Sequence, residues 1–146
     1  MTNLLSQSTA LSFITAGKAI FTCKSLKTGN RFTYKVEAPK GKDAKDTAIF
    51  FVKVLTGSDN NTDYSFFGCV RRQNGSVFFT PSAKSRISSE APSVAAFRYV
   101  LQNLAANREM PSVEIWHEGS CCRCGRRLTT PESVQAGIGP ECAGRR

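Results

Sequence analysis

Histidine and tryptophan each occur once in these 146 residues, methionine occurs twice, and 11 acidic side chains stand against 20 lysines and arginines. A lone His117 excludes catalytic sites built on two imidazoles. The chain has no P-loop, no Gly-x-Gly-x-x-Gly after a strand and no His-x-Glu joined to a Pro-Cys-x-x-Cys. With no local constellation for catalysis, a non-enzymatic protein is expected. No apolar run reaches the ~18 to 20 residues that a membrane span needs. The opening stretch "MTNLLSQSTALSFITAGKAIF" lacks a basic leading region, and polar residues interrupt its apolar part, so it makes a poor secretory signal. A cytoplasmic location follows as an expectation. Thiols stay reduced there, and clustered cysteines are read as metal ligands before disulfides.

What is present describes a folding chain. Hydrophobic residues make up 40% and charged residues 21%, enough apolar surface for one core with a small satellite module. The net charge is +9, a field that attracts phosphate or an acidic protein surface. The excess is uneven: residues 1–60 carry nine basic and four acidic side chains, and residues 111–146 five and four.

The apolar spacing from Ser8 to Gly17 predicts a short helix ended by Gly17. "KAIFTCKS" and "RFTYKVE" read as a hairpin, with Phe32, Tyr34 and Val36 on one side of the second strand and Arg31, Thr33 and Lys35 on the other. "AIFFVKVL" reads as a central strand. "YSFFGCVRR" and "SVFFT" flank Asn74-Gly75, the strongest hairpin signal in the chain. In "SVAAFRYVLQNLAAN", Val94, Phe97, Leu101 and Leu104 form one helical stripe, with Ser93 as its cap. The expected fold is α+β: a five-stranded antiparallel sheet packed by one helix, with a C-terminal zinc-knuckle module. The expected division is a basic sheet-plus-helix domain over 1–110 and a zinc-binding module over 111–146.

Four of the six cysteines and the only histidine fall between His117 and Cys142. His117, Cys121, Cys124 and Cys142 supply three thiolates and an imidazole, the donors of a closed structural zinc site. Cys122 in place of Cys121 stays open as an alternative register. Pro131 suits the first turn of a short helix capped by Thr129 or Thr130 and stopped by Gly137. Cys23 and Cys69 lie in strands and read as small core residues.

The stretch "CRCGRRLTTPESVQAGIGPEC" resembles a short zinc-binding domain of unknown function that recurs in bacteriophage and bacterial proteins, often at the chain end. "TGNRFTYKV" and "FFVKVLTGSDNNTDYSFFG" are similar to the domain that precedes it in small phage proteins. That family usually has glycine between its first two ligands where this chain has Cys122. The resemblance implies a phage origin and a zinc site and implies no reaction.

Two functions follow as expectations. The first is a nucleic-acid-binding protein, DNA before RNA, using Lys24, Lys27, Arg31 and Lys35 on the first hairpin, Lys40, Lys42 and Lys45 on the next loop, Arg71 and Arg72 beside the Asn-Gly turn, and Arg123, Arg126 and Arg127 on the knuckle. The second is an interaction protein that binds and diverts a host polymerase, nuclease or defence component. Open sheet edges would let two copies pair into a homodimer.

Overall fold

A computed structural model describes residues 3–58, 62–128 and 131–143. Its centre is one antiparallel sheet of seven strands: β1 (Asn3–Leu5), β2 (Lys18–Ser25), β3 (Arg31–Glu37), β4 (Ile49–Leu55), β5 (Tyr64–Gln73), β6 (Ser76–Pro81) and β7 (Val113–His117). The order across the sheet is β1-β7-β2-β3-β4-β5-β6. Five strands stand where the alternation placed them, and the count is corrected to seven by β1 and β7. β7 inserts between β1 and β2, with Ile115 opposite both Leu5 and Cys23. β7 falls within the module expected over 111–146, and it pairs with β1 and β2 in the sheet.

Local chemistry explains the turns. Asn74 and Gly75 take φ of 52° and 80°, the left-handed pair that closes a two-residue hairpin with the right twist. Helix α1 (Gln7–Ile14) and helix α2 (Pro92–Ala105) lie on one side of the sheet. α2 buries Val94, Phe97, Val100, Leu101 and Leu104, the expected stripe plus one residue. Its cap is Ala91, with Pro92 in the first turn, a correction to Ser93: the fixed φ of proline suits that position. Ser93 has another role, its carbonyl accepting a 2.6 Å hydrogen bond from the Tyr34 hydroxyl.

Phe97 is the hub of the core. Its ring centroid lies 5.1 Å from Tyr34, 5.4 Å from Phe79, 5.7 Å from Phe67 and 6.5 Å from Phe21, distances at which tilted and edge-on aromatic pairs attract. Among the described residues no helix packs on the opposite face of the sheet. Two short helices finish the described chain, α3 (Pro131–Ala136) and α4 (Pro140–Ala143); the expected caps Thr129 and Thr130 lie outside the described residues. Cys121, Cys122, Leu128, Ile138 and Cys142 belong to the same buried cluster as the sheet residues, so the C-terminal segment extends the core. Among the described residues no helix is long and apolar enough to cross a membrane.

Candidate functional site

The cysteine turn begins four residues after β7. Gly125 takes φ of 81° and its N–H donates to the Cys121 carbonyl at 2.8 Å, while the Cys121 N–H donates to Arg126 at 2.8 Å. This tight loop places Cys121 and Cys124 side by side, and α4 brings Cys142 to them. The three sulfurs all lie within 4.8 Å of one another, and all six cysteines are free thiols. Three soft donors so placed can hold a thiophilic ion with modest contraction, since zinc–sulfur bonds of about 2.3 Å put sulfurs just under 4 Å apart. The choice left open between Cys121 and Cys122 falls to Cys121: Cys122 is buried outside the sulfur group, its backbone N–H donating to Gly137 at 2.9 Å and its carbonyl accepting from Lys18 at 2.7 Å.

Backbone donors prepare the group for thiolates. Burial alone would raise the Cys121 pKa, but N–H groups of Gly139, Cys124 and Arg123 point at its sulfur and bring it down to about 7. The first and last of these lie 3.3 and 3.4 Å away. Burial and its sulfur neighbours push Cys142 up to about 11. Of this pair Cys121 is thus the thiol more readily ionised, and a bound cation would draw the remaining protons off.

His117 is not with the sulfurs. Its Nε2 lies 2.6 Å from the Val134 carbonyl, and its Nδ1 accepts the Gly119 N–H at 3.1 Å. Both ring nitrogens are engaged by backbone, and the ring packs 5.5 Å from Phe13. The expected fourth ligand is corrected to a core residue that ties β7 to α3. With it goes the reason for a closed four-ligand site: the described sulfur group supplies three.

The second feature is the uncovered sheet face. Cross-strand partners share a face, and the register sets Leu4, Trp116, Thr22 and Thr33 in one row, with Leu55 opposite Tyr64 further across. Lys53 lies opposite Phe66, Phe51 opposite Cys69, and Arg71 between Ile49 and Phe78. Phe51 and Phe66 meet edge-on at 6.0 Å, and the Lys35 ammonium sits 4.4 Å above the Tyr64 ring. Phe51 is 37% and Phe78 40% exposed, far from the burial expected of most phenylalanines here. Cys69 is half-buried on this face and not in the core; Cys23 is buried as expected.

The basic candidates separate into groups. Lys24, Arg31 and Lys35 share the open face with Arg71. Lys27 lies in the β2–β3 turn beside a different hollow. Lys40 and Lys42 border a hollow with Cys124 and Cys142, and Lys45 sits in the 3-10 turn Ala44–Asp46. Arg72 points its guanidinium back at the carbonyls of Ala44 and Thr47, a structural duty. Arg123 pairs with Asp43 at 2.9 Å; the hydrogen bond from Arg123 holds the Asp43 carboxyl below its usual range. Arg126 and Arg127 are exposed on the cysteine turn. The aromatics of the open face and Lys53 were missed, although the polar–apolar alternation of Glu114 and Trp116 against Val113 and Ile115 was there to be read.

Residues 116–146, from the end of β7 through the cysteine turn and α4, match a protein-family model described as a family of unknown function (DUF6011). No curated protein and no solved structure matches the chain.

Proposed function

We propose that this protein binds single-stranded nucleic acid on the open face of its sheet, without catalysing a reaction, and that the three thiols hold a structural Zn2+. The observation that carries the reading is the composition of that face, where Trp116, Tyr64, Phe51, Phe66 and Phe78 alternate with Lys24, Arg31, Lys35 and Arg71. Ring faces stack on any unpaired base, and cations beside them follow the phosphates. A duplex hides its base faces, so the aromatics favour a single strand, DNA before RNA. The phage origin implied by the C-terminal resemblance accords with such a protein and carries no part of the argument.

Zinc is favoured by donor type. Thiolates select Zn2+ over Mg2+ or Ca2+, and three of them leave one position of a zinc tetrahedron to a further ligand. Its role is to fasten α4 to the cysteine turn, where short helices give little apolar area of their own.

The test is a titration of labelled single-stranded oligonucleotides at increasing salt. Binding should weaken with a log–log slope near −0.7 per phosphate contacted, about −2 to −4 for three to five contacts. No measurable binding at low salt would end the reading and turn attention to the alternative, a host protein captured by the same basic face.

A further inference from the structure

We infer that the trough between Trp116 and Tyr64 seats one unpaired nucleotide carrying an amino-bearing base, cytosine, adenine or guanine before thymine or uracil. The inference rests on the nucleic-acid reading above and gives it a subsite and a base preference.

The trough follows from side-chain size along one row of the sheet. Thr22 and Thr33 stand opposite each other on β2 and β3, their hydroxyls 2.7 Å apart. Between larger neighbours these two small residues make a floor, and Trp116 and Tyr64 rise on either side. The resulting space is about 580 Å³, within the range of roughly 300–1,000 Å³ that small-molecule sites occupy. The indole of Trp116 lines this space beside Tyr64, whose ring lies under the Lys35 ammonium, and an indole is a side chain on which a base stacks.

The polar groups of the trough differ in sign from one part to another. Lys24 and Arg31, directly opposite each other, line it with two cations, a place for phosphate. The carboxylate of Glu118, on the loop after β7, also lines it. A carboxylate accepts hydrogen bonds from an exocyclic amine, as at cytosine N4, whereas thymine offers it one imide N–H flanked by two carbonyl oxygens that repel it. Cationic and anionic groups lining one aromatic-walled trough match the phosphate and the base edge of one nucleotide. A uniformly basic face would fit the backbone alone.

Trp116 is the only tryptophan, so its emission reports directly on the trough. Single strands of about 12 cytidines or thymidines, within the usual site sizes of such binders, are titrated while indole fluorescence and the anisotropy of a label on the oligonucleotide are followed together. Both strands should quench Trp116, with the cytidine strand bound about 10-fold tighter. Glu118→Gln should erase most of that difference. Thr33→Leu, which fills the floor and leaves the tryptophan in place, should weaken binding about 10-fold while circular dichroism shows an unchanged fold. If anisotropy shows salt-dependent binding with Trp116 emission unmoved, the trough is not the seat and the open face alone survives. Equal affinity for the two strands would remove Glu118 from the assignment. Failure of either strand to bind at low salt would overturn the subsite and the nucleic-acid reading together.

Discussion

Nε2 of His117 lies 2.6 Å from the carbonyl oxygen of Val134, so the single imidazole of this chain is a neutral cross-brace between β7 and α3. Burial pushes its pKa below the ordinary value, with the Val134 hydrogen bond and nearby Glu118 opposing. The unfolded chain takes up a proton near pH 6.5, and the folded chain does so only at lower pH. Below about 6.5 the unfolded state binds more protons, so stability falls with pH and levels off beneath the folded pKa. Urea midpoints measured from pH 7.5 down to 5 should decline in the native chain, and the decline should be smaller in His117→Gln.

Gly137 shows how tightly α3 is seated. It takes φ of 73° just past the helix end, and a Cβ there would lie 2.4 and 2.6 Å from ring carbons of Phe13. Phe13 is 1% exposed and cannot swing into solvent. Gly137→Ala combines left-handed strain of roughly 1–2 kcal/mol with overpacking of a similar or larger size, for a total of about 2–4 kcal/mol. The thermal midpoint should drop accordingly. Gly29→Ala, where nothing lies within 4 Å, isolates the strain, and its loss should be the smaller.

Metal removal separates the role of the ion from that of the core. Cys121, Cys124 and Cys142 hold sulfurs within 4.8 Å of one another, and an ion bound only by the folded chain adds about 4 kcal/mol at a thousandfold excess over its Kd. For a chain of this length that corresponds to roughly 10–15 °C in thermal midpoint. Elemental analysis should find one zinc per chain, chelation should lower the midpoint by that order, and Cys142→Ser should lose the metal. Cys69→Ser, at a half-buried thiol on the open face, should keep it.

Strands and turns were legible where one local rule decided them. The Asn74-Gly75 turn, the β2–β3 alternation and the α2 stripe depend on neighbours a few residues away, and each stands as the pattern required. β7 was lost because "VEIWH" is short and stands beside the cysteines, whose spacing invited a separate module. The open face was lost for a different reason. "IFFVKVL" is apolar on both sides, which reads as a strand buried on both, whereas both main helices pack on the same side. His117 failed at the level of side-chain direction: spacing brings an imidazole near three sulfurs and says nothing of whether its nitrogens face them or a carbonyl.

Arg31 and Arg72 carry the same charge and should fail in opposite ways. Arg72 donates to the carbonyls of Ala44 and Thr47 and lies 5.2 Å from the Phe50 ring centroid, so it holds the β3–β4 loop against β5. Removing it leaves two carbonyls without that donor, at about 1–3 kcal/mol for charged hydrogen bonds. Arg31 lines the trough on the open face and is exposed; a surface substitution away from such bonds stays within about 0.5 kcal/mol. Arg31→Ala should therefore leave the denaturation midpoint in place and reduce the salt slope of oligonucleotide binding by about 0.7, one phosphate of a single strand. Arg72→Ala should lower the midpoint and, measured where it is fully folded, leave the slope as it was. If the two variants changed binding alike, phosphate attraction would be a property of net charge and the open face would have no special claim.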